Sequence, residues 1–494
     1  MDAGWLFSGF LSALEPVNLL VAIVGCFLGT LVGVLPGLGP TSSVALLFPF
    51  TAMLSPAATV IGLGAIYYGA MYGGSTTAVL LNIPGEVASI PAAVEGFPLT
   101  KQGRAGPVLV ICALVSFLGG IIAMIALVFF APVLAEVALR FGPFEYLALM
   151  TLSFTCAAGL AGGSVIRGFS AALLGLFVAM IGCDPGTSVY RFTFAIPNLY
   201  SGLDVVSIVV GLFGIGEVLY GIKTEITTLM SGKLHGLMPS RRESLLGLKG
   251  GLRGSFIGAL LGLLPGITPS VGSFVSYAVE KRVATEREKI GRGALEGIAG
   301  PEAANNAAAV SGFVPLMALG IPTGPVLAIV MAALIIQGVV PGPLMFSTHK
   351  ALAGTIIASF FVGNVILVIL NIPLVGIWVR IAMIPYRILG PLILFLCVLG
   401  SYTVRNSTFD LWVMLLFGVL GYLTKEKMFP LPPFILGLIL GPQMELYFRQ
   451  AAVLGLTHIV HRPVAMAGLI VAGALFAAFT IFKGKGHPIV AEDP

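Results

Sequence analysis

Long apolar runs recur along this chain, separated by short polar segments. The clearest are Val108–Pro132, Val205–Tyr220, Ala351–Val379 and Val464–Phe482. About 20 apolar residues make a helix long enough to cross roughly 30 Å of hydrocarbon. A membrane barrel would show alternating segments of about 10 residues instead. The pattern therefore predicts an all-α integral membrane protein with about 10–12 transmembrane helices.

The polar segments suggest an orientation. Lys223 to Arg253 carries Lys223, Lys233, Arg241, Arg242, Lys249 and Arg253 against Glu225 and Glu243. A second charged stretch runs from Glu280 to Glu296. Short loops rich in Lys and Arg stay in the cytoplasm, so both are placed there. The leader before the first span carries Asp2 and Glu15 and no base, which favours the outside. It also lacks the basic start of a cleavable signal peptide, so the stretch from about Val17 is expected to remain as a membrane segment.

The basic loop separates two related halves. FLGTLVGVLPGLGPT at Phe27–Thr41 matches FIGALLGLLPGITPS at Phe256–Ser270, with an offset of 229. Gly74 and Leu81-Asn82-Ile83-Pro84 align with Gly312 and Leu319-Gly320-Ile321-Pro322 at 238. Ala105-Gly106 aligns with Ala353-Gly354, and Gly142-Pro143 with Gly390-Pro391, at 248. Three collinear matches predict two repeats. The expected organisation is residues 1–222 as membrane repeat one, 223–253 as a basic cytoplasmic loop, 254–482 as membrane repeat two and 483–494 as a polar tail. One repeat starts from an unbasic leader and the other from a basic loop, so the charge rule predicts inverted halves. A parallel repeat with structural kinks is the alternative.

Both halves carry broken or re-entrant helices. Pro36 and Pro40 lack backbone donors, and Gly37 and Gly39 permit unusual angles. Backbone freed at membrane depth must be satisfied by protein, water or ligand. Thr41, Ser42 and Ser43 then bring hydroxyls to the start of the next helical piece, where free N–H groups suit a carboxylate. Gly266, Ser270 and Ser273 repeat the arrangement in the second half. Ser75, Thr76, Thr77 and Asn82 populate the next break, and Thr323 follows its counterpart. Glu302, Asn305 and Asn306 share a helical face. Ionisable and amide groups inside a membrane segment are functional candidates, because they are expensive there. Two readings stand for them: Glu302 charges a helix start while the amides bridge helices, or all three line a substrate or ion site. The substrate-binding candidates are thus Thr41, Ser42, Ser43, Ser75, Thr76, Thr77, Asn82, Ser270, Ser273, Asn305, Asn306 and Thr323. Gly37, Gly266 and Glu302 are the ion-coupling candidates, since carbonyls freed at such breaks can hold a cation. Asn364 and Asn371 read as interhelical glue. Arg167, Asp184, Arg191 and Asp204 read as residues at span ends, with a turn at Asp184-Pro185-Gly186-Thr187. Arg405 reads as an interfacial anchor or an anion contact.

Composition agrees with the membrane reading. Of 494 residues, 57% are hydrophobic and 10% charged, and mean hydropathy is +1.04. A soluble chain carries about 25% charged residues. The formal net charge of +5 suits an anion carrier, though topology explains much of it. Cys26, Cys112, Cys156, Cys183 and Cys397 are scattered through apolar stretches and read as packing residues. The five histidines form no ligand cluster; His458 and His461 sit by a basic boundary before the last span. No metal is expected, and no nucleophile is paired with a base, so an enzyme is not expected. No Gly-x-x-x-x-Gly-Lys-Ser/Thr string is present, so the energy source is not read as ATP.

Several strings carry a family likeness: Gly33-Val-Leu-Pro-Gly, Tyr68-Gly-Ala-Met-Tyr-Gly-Gly-Ser-Thr-Thr77, Asn82-Ile-Pro-Gly85 and Gly297-Ile-Ala-Gly-Pro-Glu-Ala-Ala-Asn-Asn-Ala-Ala308. Leu319-Gly-Ile-Pro322 and Gly338-Val-Val-Pro-Gly-Pro343 extend it. The chain resembles the large membrane subunit of the tripartite tricarboxylate transporters over nearly its whole length. The resemblance implies a small membrane partner of about four spans and a periplasmic solute-binding protein. It also implies the bacterial inner membrane and uptake of citrate or other small carboxylates, driven by an Na⁺ or H⁺ gradient. Apart from that substrate and the lipid bilayer, no cofactor and no nucleic-acid partner are expected. The site residues rest on the physical reading and not on the resemblance. The mechanism expected is alternating access around a midplane site shared by the two halves. An ion-coupled carrier or channel for another small anion or solute, working without a binding protein, is the alternative.

Overall fold

The computed structural model describes residues 4–35, 38–51, 53–160, 164–184, 186–223, 236–382, 384, 386–427 and 429–482. The first half contains α1 (Gly4–Ala13), α2 (Pro16–Gly33), α3 (Pro40–Thr51), α4 (Pro56–Leu81), α5 (Ile90–Lys101) and α6 (Ala105–Ala138). Then come α7 (Pro143–Leu160), α8 (Val165–Ala179) and a short antiparallel ribbon of β1 (Gly182–Cys183) and β2 (Tyr190–Arg191). α9 (Val205–Val210) passes through a π-turn into α10 (Gly216–Lys223). The second half contains α11 (Arg241–Gly262), α12 (Pro269–Val283), α13 (Leu295–Ser311), α14 (Phe313–Leu319), α15 (Pro325–Ile336) and α16 (Lys350–Asn371). It continues with α17 (Val375–Ala382), α18 (Tyr386–Arg405), α19 (Thr408–Glu426), α20 (Leu431–Leu454) and α21 (Pro463–Phe482).

Among the described residues, nine helical segments are long and apolar enough to cross a membrane. The protein is a multi-pass α-helical membrane protein. Two further apolar helices, α8 and α15, are shorter. The apolar run Ala351–Val379 is not one helix. α16 ends at Asn371 and α17 begins at Val375, because Pro373 has no N–H to continue the ladder. The stretch before Arg253 is not all loop, since α11 starts at Arg241. Ser240 caps it: its hydroxyl accepts from Glu243 N–H, and the Glu243 carboxylate accepts from Ser240 N–H. The expected cytoplasmic loop thus ends in helix, and its residues 224–235 lie outside the described set.

The chain forms two compact units, residues 1–139 with 203–426 and residues 140–202 with 427–494. In the first unit the sequence repeat becomes a repeat of packing. α2 ends at Gly33 and α11 at Gly262; α3 begins at Pro40 and α12 at Pro269. A Cβ on Gly29 or Gly33 would lie 2.3 Å from the carbonyl oxygen of Ile66 or Ala70. A Cβ on Gly258 or Gly262 would lie 2.1 or 2.5 Å from that of Ala304 or Ala308. These residues are the counterparts at the same offsets. Both seams need glycine because helix backbones touch there with no side chain between them.

α4 corresponds to α13 and α14 together. Both stretches end in the left-handed region, Asn82 at φ 57° and Gly320 at φ 70°. Asn and Gly are the residues that tolerate it. Each half also packs on the other reciprocally. α12 lies against residues 87–101 and α3 against α15; α13 lies against α6 and α4 against α16. The third sequence match holds in part. Ala105-Gly106 and Ala353-Gly354 both begin long helices, but Pro143 opens α7 whereas Pro391 lies inside α18.

The second unit packs α8 against α20. A Cβ on Gly175 would meet the Phe434 carbonyl oxygen at 2.0 Å, and one on Gly437 would meet that of Ala172 at 2.1 Å. Tyr146 and Tyr447 stack at 4.7 Å. Around the ribbon, the Asp184 carboxylate accepts from Gly186 N–H (2.9 Å) and Thr187 Oγ1 (2.7 Å), forming a turn, and pairs with Arg449 at 2.7 Å. Pro185, the turn's second residue, lies outside the described residues. Arg191 pairs with Glu445 at 2.7 Å. Cys183 is exposed in β1, unlike the other four cysteines, which are buried. His458 and His461 fall in a short turn ahead of α21, and the next residue, Arg462, pairs with Glu145 at 3.1 Å.

Candidate functional site

The polar residues singled out on α4 and α13 meet inside the first unit. Glu302 is not at a helix start. α13 begins at Leu295, a full two turns earlier, and Glu302 is 1% exposed. Pro301 is accommodated within the helix, so it does not mark the boundary that its sequence position suggests. Ser75 Oγ of α4 donates to Glu302 Oε2 at 2.6 Å. Asn306 Nδ2 donates to Ser116 Oγ of α6 at 2.8 Å and to the Glu302 carbonyl at 3.1 Å. Asn305 Nδ2 turns to the break after α4 and donates to Glu86 Oε1 at 2.9 Å. The three α13 residues therefore do face a common polar region, and each binds a group from the first half.

A small pocket of about 20 Å³, room for a water molecule, opens beside this cluster. Tyr72, Ser75, Thr76, Ser116 and Asn371 supply its polar wall, and Leu109 and Val375 part of its apolar wall. No Lys, Arg or His lines it among the described residues. Glu302 and Asn306 stand directly behind Ser75 and Ser116.

The remaining candidates are more scattered. Thr41, Ser42 and Ser43 occupy the first turn of α3, with Ser43 Oγ donating back to the Gly39 carbonyl at 3.0 Å. Thr76 and Thr77 donate to carbonyls of their own helix, those of Tyr72 (3.4 Å) and Gly74 (3.0 Å). Asn82 ends α4 and is exposed. Ser270 is half-buried at the start of α12. Ser273 Oγ donates to the Ala88 carbonyl at 2.7 Å and so ties the halves together. Thr323 is buried, with its hydroxyl 2.7 Å from where a Gly312 Cβ would be. Gly266 is buried at φ 79°. Gly37 lies outside the described residues.

Several residues at the site were not singled out from the sequence: Tyr72, Glu86 and Ser116; Asn371, which lines the pocket, was read as interhelical glue. A signal for Ser116 existed, since it is the counterpart of Asn364 at offset 248. Asn364 itself donates to the Phe117 carbonyl at 2.9 Å and accepts from Tyr72 OH at 3.4 Å, which makes it interhelical glue. Asn371 donates within its own helix, to Leu367. Arg405 pairs with Asp410 at 3.2 Å. Glu95 was also missed. It is buried on α5 and accepts from Tyr277 OH at 2.7 Å and from the N–H groups of Gly293 and Ala294 at 2.9 Å. It thereby fastens the charged segment ahead of α13 to the first half. Arg253 braces the same region between Glu280 (2.6 Å) and Glu296 (2.8 Å).

The family model described as Tripartite tricarboxylate transporter TctA family matches residues 19–436. This chain belongs to the TctA family. Its members are the large subunits of tripartite tricarboxylate transporters. Two curated relatives are similar along their length, both from Agrobacterium vitis. An uncharacterized 52.8 kDa protein in the TAR-I ttuC' 3' region is 42% identical over 447 residues, covering 90% of this chain and 89% of the relative. An uncharacterized protein in the TAR-II ttuC' 3' region is 41% identical over 228 residues, covering 45% of this chain and 94% of the relative. The TctA match spans both helix breaks of each half and every residue of the polar cluster.

Proposed function

We propose that this chain is the permease subunit of a binding-protein-dependent importer of citrate-like carboxylates in the bacterial inner membrane, driven by an Na⁺ or H⁺ gradient. A small membrane subunit and a periplasmic solute-binding protein complete it. The observation that carries this reading is the pocket wall itself. Hydroxyls and the Asn371 amide face the cavity, the carboxylate of Glu302 stands behind Ser75, and no cationic side chain lines the pocket among the described residues. An anion entering beside a buried carboxylate is repelled unless a cation enters with it. Anion and coupling cation then favour each other's binding, which is the requirement of symport.

The two halves act as inverted repeats, and their reciprocal packing supports alternating access around the shared site. Hydroxyls of Ser75 and Thr76 with the amide of Asn306 hold the substrate's carboxylates. Thr41, Ser42, Ser43, Ser270 and Thr323 extend the route along the breaks.

The test is uptake of labelled citrate and a panel of di- and tricarboxylates into proteoliposomes holding both membrane subunits, with the binding protein added. Uptake is expected to require the binding protein and to stop when Na⁺ and H⁺ gradients are dissipated at constant substrate. Uptake that survives dissipation would favour a channel. In the same assay Asn306→Leu is expected to lower the initial rate by at least tenfold while the protein stays inserted and assembled. Its amide otherwise anchors Ser116, and a site built to hydrogen-bond polar groups discriminates steeply. A near-normal rate would remove Asn306 from the site.

A further inference from the structure

The loop where α4 breaks has a composition that the substrate pocket does not use. α4 ends at Asn82 in the left-handed region, and the carbonyls of Asn82, Ile83, Pro84 and Gly85 receive no backbone hydrogen bond among the described residues. Glu86 follows and makes no ion pair among the described residues; its recorded side-chain partner is Asn305 Nδ2. Two oxygens beside it have no partner although they are buried: Ser89 Oγ and Asn305 Oδ1. Both residues are fully buried. Ser89 Oγ and the Gly85 Cα each lie 3.7 Å from the Cβ position of Gly74, so the hydroxyl sits beside the break. Asn305 Oδ1 belongs to the amide that holds Glu86.

A buried hydroxyl and a buried amide oxygen without partners are rare and call for an explanation. Here they stand with one carboxylate and a run of freed carbonyls at the negative end of a helix. The set is all oxygen and carries one formal negative charge. Divalent ions generally need more carboxylates or bound phosphate. Unwound carbonyls at helix C-terminal ends in transporters suit Na⁺.

We propose that Glu86, Ser89, Asn305 and the carbonyls of residues 82–85 form an Na⁺ site. Its role in coupling rests on the symport reading above; its existence does not. The ion neutralises Glu86 and joins the α4 break of one half to α13 of the other. Asn305 is adjacent on α13 to Asn306, which backs the pocket, so occupation of this site and of the pocket are linked through one rigid helix.

The experiment is thermal unfolding of the purified full-length chain in detergent, without carboxylate, with NaCl replacing KCl at constant ionic strength. Na⁺ is expected to raise the melting temperature saturably, as a ligand of the folded state does. Glu86→Gln keeps the hydrogen bond to Asn305 and removes the charge. Ser89→Ala removes one ligand and leaves the fold's contacts intact. Each is expected to raise the half-saturating Na⁺ concentration by about tenfold or more, equivalent to ~1.4 kcal/mol. Ser153→Ala removes another buried, unpartnered hydroxyl, one in the second compact unit, and is expected to leave it unchanged. No Na⁺-specific stabilisation over K⁺, or an unchanged half-saturation in both Glu86→Gln and Ser89→Ala, overturns the proposal. A citrate titration of the same samples reads the pocket separately, so loss of the Na⁺ response and loss of substrate binding are distinguishable.

Discussion

Asp184 and Glu302 are both buried carboxylates, but they are satisfied in opposite ways. Asp184, in the loop between β1 and β2, faces Arg449, whose guanidinium holds its carboxyl well below the usual carboxylate range, with Thr187 and the Gly186 N–H assisting. A depressed carboxyl adds stability that is complete above its unfolded pKa, about 3.9, and is lost as pH falls through the folded value. Asp184→Asn is therefore expected to unfold at a lower temperature than the parent at pH 6. The difference should narrow between about pH 4 and pH 2. A gap that stays constant over that range, followed by intrinsic fluorescence, would mean that the ionised form contributes nothing. Glu302 has a neutral hydroxyl partner instead, and nothing in its neighbourhood fixes its charge in this way. The sequence made Glu302, Asn305 and Asn306 conspicuous because polar groups in an apolar helix stand out. Ser116 and Glu86 did not stand out, although the repeat offset pairs Ser116 with Asn364. A serine in a membrane helix is unremarkable by composition, and a glutamate after Pro-Gly reads as a loop residue until α13 is seen to cross it.

At the level of helices, the glycine seams set the tolerance of the fold. A Cβ at Gly258 would sit 2.1 Å from the Ala304 carbonyl oxygen, so any side chain must drive α11 away from α13. Gly258→Val is expected to destabilise the protein by at least the ~1–3 kcal/mol usual for overpacking. In α21, Gly473 has nothing within 4 Å of its Cβ position. Gly473→Ala is expected to be neutral or to stabilise by up to about 1 kcal/mol through helix propensity. Equal melting temperatures for the two variants in detergent would contradict the seam. The repeat of these glycines was visible in the sequence as a matching string. Their purpose was not, because a count of 64 glycines fits kinks and close packing equally well. The helix ends were legible where proline or left-handed residues fix them, at Pro40, Asn82, Pro269 and Gly320. They were not legible at Leu295, which has no N-cap side-chain bond to announce it.

For the molecule as a whole, the duplication explains why the site has members from both halves. Ser75 and Glu86 come from the first and Glu302, Asn305 and Asn306 from the second. A chain divided between residues 235 and 236 and expressed as two pieces is expected to reassemble, because the bonds that join them are reciprocal. The pieces should co-purify and transport, and residues 1–235 alone should be digested by protease where the pair is not. Equal resistance of the lone piece would show that the first half is complete by itself.

Glu95 carries that dependence into the timing of synthesis. When α4 and α5 have entered the bilayer, Tyr277, Gly293 and Ala294 have yet to be translated, and so have the partners of Ser75 and Glu86. Three polar positions, two buried and one half-buried, must therefore remain hydrated or chaperoned while roughly two hundred further residues emerge, a wait of some tens of seconds at about 5–20 residues per second. The interlock that completes the finished carrier thus makes its nascent form a client of the cell's insertion machinery.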